Sequence, residues 1–208
     1  MNRCPKCAAE LETPLCCAVC ELPLEVDDDA TPFALLGVET AFTVDVKDLR
    51  RRLLRASRQI HPDFFGASSP ELRALAEKNS ARLNRAFEVL SDDAARADWI
   101  VKSQGGPDEV AERAMPQAFL MEVLEWNETL EEARAARSTV DPRLAGLQAT
   151  LEQKRGDSMD AVRTLLDPLP ARGSPTLKRA RQELNAVRYV DRALREIEAL
   201  RLARSATR

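Results

Sequence analysis

Along most of the chain the apolar positions recur every three or four residues, the spacing of an amphipathic helix and not of a strand. Leu49, Leu53, Ala56 and Ile60 make one such stripe, and Leu75, Asn79, Leu83, Ala86 and Leu90 make a second of similar length. The break between them holds His61-Pro62-Asp63 and the small polar run Gly66-Ala67-Ser68-Ser69-Pro70. That pattern predicts two antiparallel helices joined by a loop. Short flanking helices are expected from about Phe33 and Asp92, and this helical region closes at Gly105-Gly106-Pro107. A second helical region runs from about Met115 to Arg204, divided into three long helices by Asp141-Pro142 and by the proline-rich stretch 168–175. In the last of these, Leu177, Ala180, Leu184, Val187, Val190, Leu194 and Ile197 keep a near-heptad seam, which fits a three-helix bundle. Before the helices, the acidic run Glu25, Val26, Asp27, Asp28, Asp29 reads as a linker.

Composition supports an all-α reading. Only 4% of the 208 residues are aromatic, and the abundance of Ala, Leu, Arg and Glu favours helix over strand. A net charge of -3 gives no global field for holding nucleic acid by phosphate neutralisation. No apolar run approaches the roughly 20 residues that span a bilayer, so no membrane partner is expected. The N-terminus has neither an apolar signal core nor an Arg-rich presequence, and cytoplasmic location is the default expectation.

All five cysteines lie within the first 20 residues, which points to one local site and not to a disulfide framework. Cys4-x-x-Cys7 and Cys17-x-x-Cys20 place two thiolate pairs on two tight turns, the spacing of a structural Zn2+ site filled by four protein ligands. Metal binding would supply the folding energy that so short a segment lacks. Cys16 is a competing ligand, but the two-residue spacing favours Cys17. No strand surrounds these residues to suggest a redox motif, and Arg3 and Lys6 are the only basic residues near them, too few for a nucleic-acid-binding ribbon.

His61 is the only histidine. That argues against a His-ligated metal and against most catalytic triads, and no phosphate-binding loop is present; no catalytic residues are assigned and the chain is not expected to be an enzyme. The helix before His61 is strongly basic, with six Lys or Arg and one acid between Lys47 and Arg58, and Arg51, Arg55 and Arg58 fall opposite its apolar stripe. A basic helix, a His-Pro-Asp loop at its end and an antiparallel partner together resemble a J-domain. The resemblance implies that His61, Pro62, Asp63, Arg51, Arg55 and Arg58 dock on a DnaK-type chaperone. Phe64 stands where many J-domains carry a lysine.

The helix that follows Met115 has two apolar faces. Phe119, Val123, Trp126 and Leu130 form a narrow core stripe, while Leu120, Met121 and Leu124 lie on the other side with Glu125, Glu128 and Glu132. Five acids and no base fall between Glu122 and Glu132. Apolar side chains set among carboxylates suit a partner-binding surface. Tyr189 points away from the heptad seam of the last helix.

The segment Ala118-Phe119-Leu120-Met121-Glu122 with Leu124, Glu125, Glu128 and Glu132, together with Arg188-Tyr189-Val190-Asp191, resembles the HscB family of iron-sulfur co-chaperones over about Phe33 to Leu202. The four-cysteine module and His61-Pro62-Asp63-Phe64-Phe65 are similar to its zinc-bearing branch. The resemblance implies a zinc module at 1–26, a J-domain at 31–106 and a three-helix domain at 107–208. It further implies that Leu120, Met121, Leu124, Glu125, Glu128, Glu132 and Tyr189 bind an IscU-type scaffold. The chain would then deliver that scaffold to a DnaK/HscA-type chaperone and stimulate its ATPase.

Overall fold

A computed structural model describes residues 3–65, 68–136 and 142–206. The loop positions Gly66, Ala67 and Asp141 lie outside the described residues. Among these there are seven α-helices, one turn of 3-10 helix and one two-stranded sheet. The chain divides into two units, Met1–Arg96 and Ala97–Arg208.

In the first unit, Asp45 caps α2 (Val46–Gln59), its carboxylate accepting from the N–H groups of Lys47 and Asp48. Ser69 and Pro70 open α3 (Pro70–Ser91) in the same manner, with the Leu72 N–H donating to Ser69 Oγ. The two helices pack as a hairpin, and α1 (Pro32–Leu35) lies against α3. Leu49, Ile60, Leu83, Leu90 and Phe33 are fully or almost fully buried between them. Arg96 is buried too; its Nε donates to the Phe42 carbonyl at 2.7 Å and Nη1 to that of Leu90 at 2.5 Å.

The cysteine segment is a strap across this hairpin. Its strands β1 (Cys16–Cys17) and β2 (Leu22–Pro23) pair antiparallel, β1 touching α2 and β2 touching α3. Leu15 of the strap is fully buried. The one polar member of the α3 stripe, Asn79, is buried because its Nδ2 donates to the carbonyls of Leu15 (2.9 Å) and Leu24 (2.8 Å). Thr13 Oγ1 donates to the Leu35 carbonyl at 2.8 Å. Gly37, at φ 65°, lets the strap approach so closely that a Cβ there would stand 2.0 Å from the Glu12 carbonyl oxygen. The acidic run at 25–29 is therefore no free linker. Arg82 donates to the carbonyls of Val26 and Asp27, and Lys78 pairs with Asp28 at 3.0 Å. The segment keeps a small apolar cluster of its own around Cys4, Cys17 and Leu24 and is tied to the hairpin by these backbone contacts, so the run beyond it is carried along.

The boundary between the units falls inside α4 (Asp93–Ser103). In the second unit α5 (Gln117–Ala135), α6 (Pro142–Leu166) and α7 (Pro175–Ala206) pack pairwise into a bundle. Phe119, Trp126, Leu130, Leu151, Val190 and Ile197 belong to its core. The unit also buries Arg181 completely; Nε donates to the Pro107 carbonyl at 2.9 Å and Nη1 forms an ion pair with Asp98 at 2.6 Å. Burial pushes the Asp98 carboxyl up, but Lys102 and Arg181 outweigh it and hold the group below its ordinary value.

Candidate functional site

Each cysteine pair sits at the tip of a small hairpin. The Arg3–Glu10 bridge closes the first, and the Cys16–Pro23 and Cys17–Leu22 pairings close the second. The residue after each pair, Ala8 and Glu21, has a left-handed φ of 58° and 53°, so the chain turns back the same way twice. This brings the sulfurs of Cys4, Cys7, Cys17 and Cys20 within 4.8 Å of one another, a group that could hold a metal ion. Cys4 and Cys20 sulfurs are 3.8 Å apart, and those of Cys7 and Cys17 are 3.7 Å apart. Backbone N–H groups of Lys6 and Cys20 point at the sulfurs of Cys4 and Cys17, each at 3.4 Å. Hydrogen bonding from the Cys7 backbone leads the Cys4 thiol down to about 6 against the effect of burial, while side-chain hydrogen bonding with Cys7 leads Cys20 up to about 12. Cys16 faces the other way and donates to Gln59 Oε1 at 2.9 Å, and burial pushes it up to about 12. The competing ligand is thereby a tether to the last residue of α2.

Directly after Gln59 the chain enters the His61-Pro62-Asp63 loop, a 3-10 turn over Pro62–Phe65. His61 and Asp63 side chains are exposed and lie 3.6 Å apart, and the Asp63 N–H donates to His61 Nδ1. Arg51, Arg55 and Arg58 are exposed along α2 as their spacing requires. Arg51 pairs with Asp48 at 2.9 Å, and Arg55 reaches Glu12 of the strap at 2.8 Å. The Asp48 carboxyl is held below its ordinary value by Arg52 and Arg51. Arg52, by contrast, is structural: its Nη1 donates to the Gly37 carbonyl at 2.8 Å. Two exposed apolar side chains escape a pattern search. Phe64 is 71% exposed, its ring edge-on to His61, and Leu54 is exposed among the arginines.

On α5 the two faces separate as the phase of the sequence requires. Phe119, Trp126 and Leu130 are buried, whereas Leu120, Met121 and Leu124 are 43%, 54% and 55% exposed. A core that buries both faces is excluded. Glu125 and Glu128 are exposed with no ion-pair partner among the described residues, while Glu132 accepts from Arg143 at 2.7 Å and Glu122 pairs with Lys154. Tyr189 is half-exposed, and its ring stands edge-on to Phe119, with centroids 5.7 Å apart. The tyrosine thus touches α5 at a core residue that is followed directly by Leu120.

The family model of the HSCB C-terminal oligomerisation domain matches residues 115–198. The chain is 36% identical over 137 residues to a co-chaperone protein HscB homolog of Bordetella petrii, covering 65% of this chain and 78% of that protein. It is 30% identical over 171 residues to the homolog of Mannheimia succiniciproducens, covering 81% and 94%. The chain belongs to the HscB co-chaperone family. The crystal structure of human co-chaperone protein HscB matches the fold of this HscB-family chain with a TM-score of 0.77 at 24% identity, over 95% of this chain and 98% of that one. The match leaves fewer residues uncovered than the cysteine segment contains, so it extends into the strap. Among the described residues no helix is long and apolar enough to cross a membrane.

Proposed function

We propose that this HscB-family chain binds an IscU-type iron-sulfur cluster scaffold, delivers it to a DnaK/HscA-type chaperone and stimulates that chaperone's ATPase in the cytoplasm. The reading rests on the outward set of Leu120, Met121 and Leu124 beside the exposed Glu125 and Glu128. Three large apolar side chains clustered in water among carboxylates mark an interaction surface. In this reading residues 1–26 are the metal module, 31–106 the J-domain and 107–208 the scaffold-binding domain. Leu120, Met121 and Leu124 supply the apolar centre; Glu125, Glu128, Glu132 and Tyr189 surround it. His61, Pro62 and Asp63, with Arg51, Arg55 and Arg58, dock on the chaperone. ATP chemistry belongs to the chaperone, which the J-domain biases by binding two of its states unequally.

The metal in this reading is Zn2+. A tetrahedral zinc with sulfur ligands at about 2.3 Å sets its sulfurs about 3.8 Å apart, which the 3.8 Å and 3.7 Å pairs already approach. Bound zinc would keep Cys4, Cys7, Cys17 and Cys20 as thiolates and close both hairpins. A four-thiol site also suits a reducing compartment.

Calorimetric titration with an IscU-type scaffold tests the client. Leu120→Ala with Leu124→Ala should weaken binding by several kcal/mol, about a hundredfold or more, with the circular dichroism spectrum unchanged. Undiminished affinity in the folded variant would transfer the face to a different client.

A further inference from the structure

The second unit carries, besides the α5 face, a groove of about 640 Å³ between the 109–115 segment and α7. Its charge is opposite to that of α5. Arg113, Arg188, Arg192 and Arg195 line it against two acids, Glu109 and Asp191. Both acids are committed, Glu109 to Arg188 and Asp191 to Arg155. Arg113, Arg192 and Arg195 are exposed and have no carboxylate partner among the described residues. A second observation is independent of the charge. Asn185 also lines the groove and is only 6% exposed; its Nδ2 donates to the Glu112 carbonyl at 2.8 Å, while its Oδ1 is buried with no donor.

A buried amide oxygen without a donor costs stability until something supplies an N–H or O–H. The three guanidiniums that line the same groove repel a cationic donor and attract carboxylates, which they can grip in a planar, two-point fashion. Both demands are met by one ligand class. We propose that the groove binds an extended acidic peptide segment, its carboxylates on Arg113, Arg192 and Arg195 and one backbone N–H on Asn185 Oδ1. Tyr189 lines the groove and its ring also packs edge-on against Phe119 of α5, the residue before Leu120. The segment is therefore assigned to the scaffold that occupies the α5 face, and this ownership, unlike the groove's chemistry, rests on the proposed function. A client read by both surfaces must present a basic patch to Glu125 and Glu128 and an acidic strand to the groove, so opposite charges fix its register.

The probe is a fluorescein-labelled octapeptide of alternating glutamate and glycine, followed by anisotropy with the full chain. The triple variant Arg113→Ala, Arg192→Ala, Arg195→Ala should bind it about tenfold more weakly or worse, and Asn185→Ala about fivefold more weakly. A glutamine-for-glutamate peptide should not bind. The arginines are exposed, so the triple variant keeps the test valid even if Asn185→Ala fails to fold. Unchanged binding by the triple variant overturns the proposal. So does a polyphosphate of equal charge that binds as tightly as the peptide and ignores Asn185, since that is unspecific attraction. Titration with the scaffold separates the two claims. Loss of affinity in the arginine variant alone keeps the groove and refutes the α5 face, whereas loss in the leucine variant alone refutes the scaffold's use of the groove.

Discussion

In the unit that ends at Arg96, irregular chain is held to helices by side-chain amides and guanidiniums reaching backbone carbonyls: Asn79 to Leu15 and Leu24, Arg82 to Val26 and Asp27, Arg52 to Gly37. In the unit that begins at Ala97, three long helices are held by an apolar seam from Leu177 to Ile197 and by the α5 core stripe. The first arrangement concentrates stability in a few contacts and in four converging sulfurs, so one chemical change can open it. The second spreads stability over many side chains. It can therefore leave Leu120, Met121 and Leu124 in water and lose them without unfolding.

Metal removal should separate the two units most visibly. Chelation, or Cys17→Ser, should free the strap and destabilise the first unit by several kcal/mol, because metal binding is folding energy for such a segment. Cys16→Ser should leave metal content unchanged, since that sulfur faces Gln59. Elemental analysis and thermal melts of the three proteins check this; loss of metal in Cys16→Ser would mean that Cys16 is a ligand.

A smaller effect is expected at Gly37. A Cβ there meets the Glu12 carbonyl oxygen and must also adopt a positive φ, so Gly37→Ala should cost about 3 kcal/mol, read as a shift in denaturation midpoint. Hydrogen exchange should show the strap opening first. The smallest effect has the opposite sign. Ala8 and Glu21 hold left-handed backbones, so Ala8→Gly or Glu21→Gly should stabilise the hairpins by about 1 kcal/mol at most. A destabilised glycine variant would show that these turns carry no strain.

The same contrast explains what the sequence makes legible. Periodicity reports which side chains enter a core, so α2, α3 and the three bundle helices, and the two faces of α5, can be read from phase alone. The strap cannot. Asn79 sits visibly in an apolar stripe, but its partners are backbone carbonyls 64 and 55 positions away, and side-chain identities do not encode carbonyl positions. For the same reason the acidic run at 25–29 reads as a free linker although Arg82 and Lys78 hold it. The turns after Cys7 and Cys20 carry no glycine to announce their φ. In the groove, Arg188, Arg192 and Arg195 do recur at helical spacing, but Arg113 comes from a segment without periodicity, and the buried Asn185 oxygen is a property of packing.

In the proposed function one chain carries two docking surfaces built on different physics, a charged loop and helix for the chaperone and an apolar face for the scaffold. Single-turnover ATP hydrolysis by a DnaK-type chaperone, with and without an IscU-type scaffold, tests it most directly using His61→Gln and the Leu120→Ala, Leu124→Ala pair. His61→Gln should abolish stimulation while scaffold affinity stays at the wild-type value. The leucine pair should keep the stimulation seen without scaffold and lose the increment that scaffold adds. Normal stimulation by His61→Gln, or loss of the scaffold-free stimulation in the leucine pair, would contradict it.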